Sequence, residues 1–285
     1  MARVSRSPRE SGGRASLSEA EITAFRVQVL GLYAKRGRVF PWRSTRDPWA
    51  ILVSEVMLQQ TQTERVLPKY LAWMAAYPTP RSLVEADLAD VLSLWSGLGY
   101  NRRALALIKA ASRIASLGRF PDEEDELLEL PGVGPYTARA LLAFAFDRPV
   151  VLIETNIRSV FLQRFFEGEE SVSDARIAPF VEATLDRDDP RSWYYALMDY
   201  GVEIKRAFGN PNGRSAHYAK QSPFADSHRR IRGELLKELG SMGRADADEL
   251  ARALPFARER VDKALGELKA EGFVAESCGV YRLGN

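Results

Sequence analysis

The stretch Leu127–Arg158, LLELPGVGPYTARALLAFAFDRPVVLIETNIR, decides how the chain is read. It opens on a short helix end (Leu127, Leu128, Leu130), turns through Pro131-Gly132-Val133-Gly134-Pro135, and enters a second apolar helix. Two glycines around one apolar residue let backbone N–H groups face outward and be approached closely, because no Cβ intervenes. The next helix starts directly behind them, so its free N–H groups and its dipole point the same way. Such a turn holds an anion without a lysine, and a DNA phosphate is the commonest anion of that shape. An ordinary glycine-capped connection between two helices is the alternative. Past the second helix, a proline-containing loop carries one carboxylate, Glu154.

The run L-P-G-V-G-P-Y-T-A, followed by that loop and its acid, resembles the helix-hairpin-helix, Gly/Pro-rich loop, acid signature of the base-excision DNA glycosylases. The resemblance puts Tyr136 where bifunctional members carry a Schiff-base lysine. It puts Glu154, eighteen positions later, where the family has its catalytic aspartate.

The totals bound what else the chain can be. With 285 residues, 46% of them hydrophobic, it can bury one substantial core, or a core plus a small module. A net charge of +2 leaves nucleic-acid affinity to local patches rather than to a global field. The single cysteine, Cys278, excludes a disulfide framework and fits a reducing cytoplasm. No apolar run reaches membrane-spanning length, and the N-terminus lacks the apolar stretch of a signal peptide. Residues 1–15, with four arginines and two glycines, read as a disordered basic arm.

Ser16 and Ser18 before Glu19 and Glu21 mark a helix start, continued by Phe25, Val29, Leu30 and Tyr33 at helical spacing. Helical patterns follow over Trp49–Trp73, Ser82–Leu94, Arg102–Ser116, Glu123–Leu130, 173–186 and 190–208, separated by Pro and Gly breakers. The predicted body, 16–208, is therefore all-α, with its helix-hairpin-helix at 123–146. Residues 209–224 are polar and aperiodic, a linker or surface loop. From 225 to 285, three helices and a terminal hairpin around Cys278-Gly279 suggest a winged-helix-like domain. Arg258, Glu259, Arg260 and Lys263 stand near the start of its third helix, the element with which such modules usually meet DNA.

A second constellation lies at Phe40–Ala72. Glu55 is flanked by Ile51, Leu52, Val56 and Leu58 on one helix, and a dehydrated carboxyl is a usable general acid. A buried glutamate paired with Arg43 is the structural alternative. Gln59 and Gln60 follow, amides able to hydrogen-bond base edges. Together, P-W-R, D-P-W, S-E-V-M-L-Q-Q-T-Q, W-S-G-L-G-Y-N-R-R-A and M-D-Y-G closely resemble the adenine DNA glycosylase (MutY-like) branch, from about Phe40 to Gly201.

That resemblance implies a two-lobed helix-hairpin-helix glycosylase. Glu55 takes the role of the acid that protonates the departing purine. Glu154 faces the deoxyribose C1′ and stabilises an oxocarbenium-like transition state, a division of labour between two carboxylates in different environments. Gln60 and Tyr100 are candidate wedges for the space left by a flipped base. Gln59, Gly132, Val133, Gly134, Arg43 and Asn156 complete the implied DNA-binding set. Tyr136, lacking an amine, argues for a monofunctional enzyme.

Three departures stand against the family pattern. The catalytic aspartate is a glutamate here, with Thr155 and Asn156 placed to re-aim it. The four-cysteine iron–sulfur site is missing: Lys205 occupies the first cysteine's place and 209–224 holds none, so no cluster or other cofactor is expected. Lys205, Arg206, Arg214, His217 and Lys220 are available to replace its structural and phosphate-facing roles. The nucleotide-hydrolase-like domain that reads 8-oxoguanine gives way to the winged-helix-like module. Ser227-His228 resembles a serine-histidine loop of that lost domain only by coincidence.

The expected protein is thus a monomeric, cytoplasmic, nucleoid-associated enzyme acting on double-stranded DNA that holds a mismatched or damaged base. The expected reaction is hydrolysis of an adenine N-glycosidic bond opposite guanine or 8-oxoguanine. Alternatives are a glycosylase for uracil, mismatched thymine or a damaged purine, and a non-catalytic DNA-binding protein on the same scaffold.

Overall fold

The structure, a computed structural model, describes residues 16–219 and 227–284. The arm at 1–15, Lys220 and the end of the 209–224 loop lie outside them. In chain order the helices are α1 (Glu19–Arg36), α2 (Pro48–Leu58), α3 (Thr63–Ala76), α4 (Pro80–Val84), α5 (Leu88–Trp95), α6 (Arg102–Leu117) and α7 (Glu124–Leu128). There follow α8 (Pro135–Phe144), α9 (Thr155–Phe165), α10 (Asp174–Thr184), α11 (Pro190–Phe208), α12 (His228–Met242), α13 (Ala247–Ala253) and α14 (Arg258–Ala270). Three short strands, β1 (Arg244–Asp246), β2 (Val274–Ser277) and β3 (Val280–Leu283), form an antiparallel sheet in the order β1-β3-β2.

The chain divides into two units. One combines the segment up to Arg38 with Pro149–Tyr218; the other combines Val39–Arg148 with the residues from Ala219 onward.

In the first unit, α9 and α11 pack closely and α1 lies along α11. Phe25 of α1 meets Phe161, Phe165 and Trp193 edge-on at 5.2–5.8 Å, an arrangement that adds ring electrostatics to area burial. The M-D-Y-G motif has two local jobs here. Asp199, buried on α11, accepts from the backbone N and Nε of Arg38 at 2.8 and 2.7 Å, tying down the chain just after α1. Gly201 allows a close approach: a Cβ there would lie 2.7 Å from the carbonyl carbon and Cβ of Asn156.

In the second unit, α2 is the centre. Every residue from Trp49 to Met57 is buried, as a helix apolar on all sides requires. Asp47 caps it by accepting from Trp49 N at 3.0 Å, Pro48 fills its first turn, and Trp49 Nε1 donates to Tyr77 O at 3.1 Å. Trp73 packs edge-on against Trp95 and Tyr77, and α8 lies against α2.

The helical pattern at Trp49–Trp73 resolves into two helices, broken at Gln59–Gln62, and Ser82–Leu94 resolves into α4 and α5. The C-terminal residues carry the three helices and the hairpin read from sequence, plus β1, which the sequence did not suggest. Within this unit α12 packs on α5. Glu271, at the end of α14, receives two hydrogen bonds from Arg102 (2.7 and 2.6 Å) and two from Arg232 (2.9 and 2.6 Å). Those guanidiniums hold its carboxyl well down, at about 2.

Candidate active site

The predicted residues fall into two groups, one in each unit, described in turn. In the larger unit Glu55 is only 7% exposed, on the helix whose neighbours are all buried. Three residues on, α2 stops at Leu58 because Arg103 takes up its last carbonyls. Nη1 of Arg103 donates to the carbonyls of Val56, Met57 and Gln59 at 2.7, 3.1 and 2.7 Å. Its Nη2 donates to Leu98 O, Gly99 O and Thr61 Oγ1 at 3.0–3.2 Å. A guanidinium's planar fork suits such a cluster of acceptors, and burial pushes its pKa down to about 10.

This one side chain pins both candidate wedges. Gln60 and Tyr100 sit on the two loops whose carbonyls Arg103 binds, and both adopt left-handed backbones, φ +54° and +49°. Non-glycine residues hold that conformation only when their surroundings over-determine it, and such positions cluster at working sites. Gln60 is exposed, while Gln59 lies partly covered with its amide 3.5 Å from Thr137 Oγ1 on α8. Two guanidiniums lie over the Tyr100 ring, Arg103 at 5.5 Å and Arg229 of α12 at 5.3 Å; Arg229 also donates to the Tyr100 hydroxyl.

The hairpin between α7 and α8 forms as its sequence requires. Gly132 has φ +82°, and a Cβ there would come within 2.7 Å of Ala106 Cβ on α6, so both backbone and packing demand glycine. Val133 is buried and donates to Leu130 O at 3.0 Å; Gly134 caps α8 and Pro135 occupies its first position. Among the described residues, neither Gly132 N nor Gly134 N donates within the protein, which leaves both N–H groups for an external acceptor. Tyr136 is half-buried in the first turn of α8, and Arg43, in a 3-10 turn, stacks over Phe40 at 5.3 Å.

In the smaller unit Glu154 is the N-cap of α9. Its Oε1 accepts from the backbone N of Asn156 and Ile157 at 2.7 and 2.8 Å, and its Oε2 accepts from Asn156 Nδ2 at 3.1 Å. The extra methylene relative to aspartate is absorbed by folding the side chain back onto the helix end it caps. Crowding by protein raises its pKa; the two backbone N–H groups, Lys205 and Arg158 oppose that shift. Asn156 Oδ1 in turn accepts from Lys205 Nζ on α11 at 2.9 Å. Arg158 is taken by Asp174 of α10 in a two-point pair at 2.6 and 2.7 Å.

Residues 53–254 match the family model described as HhH-GPD superfamily base excision DNA repair protein. The chain belongs to this superfamily. It is 34% identical to the adenine DNA glycosylase of Mycolicibacterium smegmatis, an alignment covering 88% of this chain and 93% of that one. It is 43% identical to the adenine DNA glycosylase of Mycobacterium tuberculosis over 62% of this chain and 60% of the other. With the human adenine DNA glycosylase the identity is 30%, over 87% of this chain but 49% of the human one. Among solved structures, a thermostable thymine-DNA glycosylase superposes with a TM-score of 0.57 at 25% identity, over 64% of this chain and 86% of that one. An endonuclease III bound to DNA gives 0.57 at 18% identity, over 68% of this chain and 90% of its own, which shows the shared fold. This member of the superfamily is a base-excision DNA glycosylase.

An iron–sulfur cluster does not fit its residues. The one cysteine, Cys278, is exposed in the β2–β3 hairpin, and among the described residues no group of three or more His, Cys, Asp or Glu could hold a metal. The loop after α11 is instead a polar clamp on α9. Asn212 Nδ2 donates to Thr155 O and Ser159 Oγ at 3.0 and 2.6 Å, while Arg214 donates to the carbonyls of Leu162, at 3.0 Å, and Phe166. Two basic residues expected to face phosphate thus serve the protein: Arg214 closes the end of α9, and Lys205 turns into the Glu154 network. His217 accepts from Asp174 N at 3.3 Å, and Arg206 is exposed.

Arg103, Arg229, Gly201 and the inward turn of Lys205 were not singled out as site residues from sequence. Arg103 and Gly201 lie inside quoted motifs, which is the only signal that could have found them.

Proposed function

We propose that the protein is a monofunctional adenine DNA glycosylase, removing adenine opposite guanine or 8-oxoguanine without an iron–sulfur cluster. The observation that carries this reading is Glu55, buried on α2 within S-E-V-M-L-Q-Q-T. An adenine anion leaves poorly, so excision needs a proton donor at the base, and a buried carboxyl is suited to that role. Glu154, ionised on its cap, stabilises the positive charge that develops at C1′ as the bond breaks, and water completes the hydrolysis. Gly132 and Gly134 hold a phosphate of the same strand through their N–H groups, with Val133 beneath them. Gln60 and Tyr100 fill the space vacated by the extruded base, and Gln59, Arg43 and Asn156 are further DNA contacts. Tyr136 offers no amine for a Schiff base, so strand cleavage does not accompany base release. We read the C-terminal module as a winged helix that meets duplex DNA through the side of α14 that carries the exposed Lys263, with Arg260 half-buried on the same helix. Arg258 is engaged by Asp262 at 2.8 Å and by Asp248, so it braces the module instead.

The likeness to a thymine-DNA glycosylase, together with glutamate in place of aspartate, favours a pyrimidine or damaged purine as the second reading. The experiment is base release from a duplex panel (adenine opposite 8-oxoguanine or guanine, uracil or thymine opposite guanine, and hypoxanthine), developed with hot alkali. Adenine release lost in both Glu55→Gln and Glu154→Gln is the expected result. Release of uracil or thymine that survives Glu55→Gln supports the second reading, because a pyrimidine anion leaves without that proton. Tight binding to an abasic analogue with no release from any duplex refutes catalysis.

A further inference from the structure

The strongest unassigned feature is the lysine that stands in the first cluster cysteine's position. Lys205 is half-buried, and its Nζ donates to Asn156 Oδ1 at 2.9 Å. An ammonium can only donate, so it fixes which end of the Asn156 amide faces it. The other end, Nδ2, is thereby turned to Glu154 Oε2, 3.1 Å away. Were the amide to flip, its carbonyl oxygen would face the carboxylate and the third hydrogen bond to Glu154 would become a repulsion. Gly201, four residues before Lys205 and so on the same face of α11, is what lets Asn156 come near enough for this bond.

The charges around Glu154 single out the same residue. Arg158, on its own helix, already pairs with Asp174 of α10. From the loop packed on α9, Arg214 is used by main-chain carbonyls and His217 by Asp174 N. Among the described residues Lys205 pairs with no carboxylate directly, and its own pKa is lowered by burial with Glu154 as the opposing influence. Arg158 and Lys205 both favour ionised Glu154, but Arg158 shares its charge with Asp174, whereas Lys205 is bonded to the neutral Asn156 amide.

We propose that Lys205 is a positioning residue for catalysis: through the Asn156 amide it orients the Glu154 carboxylate toward C1′, in the place where cluster-bearing relatives keep a cysteine. The proposal rests on the role given to Glu154 above. Removing the ammonium frees the amide to turn and takes away a charge that favours ionised Glu154. The fraction of enzyme with Glu154 ionised at neutral pH then falls.

The test is single-turnover base release against pH for the full-length protein, Lys205→Met and Lys205→Arg, with thermal unfolding of each. For Lys205→Met we expect a rate at neutral pH lowered about 10- to 100-fold, the range for a misaimed catalytic group. Its acid limb should move to higher pH, its affinity for an abasic-site duplex should stay within a few-fold, and Lys205→Arg should recover most of the rate. An unchanged rate and acid limb in well-folded Lys205→Met would overturn the proposal. So would a loss that Lys205→Arg does not relieve and pH does not modulate. In parallel, the pH dependence of the Asn156 side-chain amide proton shift reports Glu154 ionisation without turnover. A midpoint raised in Lys205→Met supports the coupling even if no duplex is cut, in which case the assigned reaction fails and not the network. An unmoved midpoint refutes it.

Discussion

Replacing Gly201 by alanine isolates how much catalysis depends on the α9–α11 approach, because the substitution touches neither carboxylate. A Cβ at this position meets the carbonyl oxygen of Asn156 most closely, and lies 2.7 Å from both its carbonyl carbon and its Cβ. Non-bonded carbons settle at about 3.5 Å or more, so the start of α9 must retreat by roughly 0.8 Å. None of these contacts can be relieved by a side-chain rotation, since the carbonyl carbon and oxygen are backbone and Cβ moves with them. The displaced segment carries Glu154 on its N-cap and Asn156 on its first turn. A shift of about 1 Å in a catalytic group costs roughly a hundredfold in rate. Overpacking of a buried contact costs about 1–3 kcal/mol of stability. Gly201→Ala should therefore fold with a lowered unfolding midpoint, bind an abasic-site duplex within a few-fold of the parent, and release base about 30- to 100-fold more slowly. Single-turnover release and denaturant unfolding measure both terms. A rate within twofold of the parent, in protein shown to be destabilised, would refute the link between this contact and the chemistry.

Other consequences are as specific. Glu154 has its carboxyl pKa raised in the folded protein by burial, so the native state binds a proton more readily than the unfolded chain, and stability from this group rises as pH falls. Glu154→Gln should accordingly be more stable than the parent at neutral pH, with the advantage shrinking as pH drops through the raised pKa; denaturant titrations at several pH values check this, and an advantage that grows in acid contradicts it. Glu271 behaves in the opposite sense: held at about 2 by Arg102 and Arg232, it contributes stability above its unfolded pKa that is lost as pH falls toward 2. Glu271→Gln should cost about 1 kcal/mol at neutral pH, since Glu271 is half-buried and Arg102 is exposed, so solvent screens part of the attraction. Arg229→Ala strips one guanidinium from the Tyr100 ring, and a cation over an aromatic face is worth about 0.5–2 kcal/mol. Discrimination between damaged and undamaged duplexes, measured by competition binding, should weaken several-fold while the excision step on bound substrate changes little.

Much of this site was legible because its determinants are local. The hairpin turn needs glycine at Gly132 for its positive φ and has proline and a capping glycine within five residues, so its sequence alone announces it. The burial of Glu55 followed from unbroken apolar neighbours on α2. The break after Leu58 was not legible: Gln59-Gln60-Thr61-Gln62 contains no glycine or proline, and it is Arg103, more than forty residues on, that pulls the carbonyls out of helical bonding. β1 escaped notice because three residues carry no usable alternation, and it exists only as a partner for β3.

By itself the sequence determined the helical class, the helix-hairpin-helix, the burial of Glu55 and the presence of a single cysteine, because each depends on residue type within a short window. Tertiary structure alone decided what the substituted residues do. Lys205 reaches Asn156 across a separation of 49 residues, Arg214 closes the end of α9, and Arg229 brings the C-terminal module against Tyr100. An ammonium or guanidinium on a long stem can serve phosphate, carboxylate or carbonyl equally well. Only the packing of the elements that carry it fixes which acceptor lies within reach.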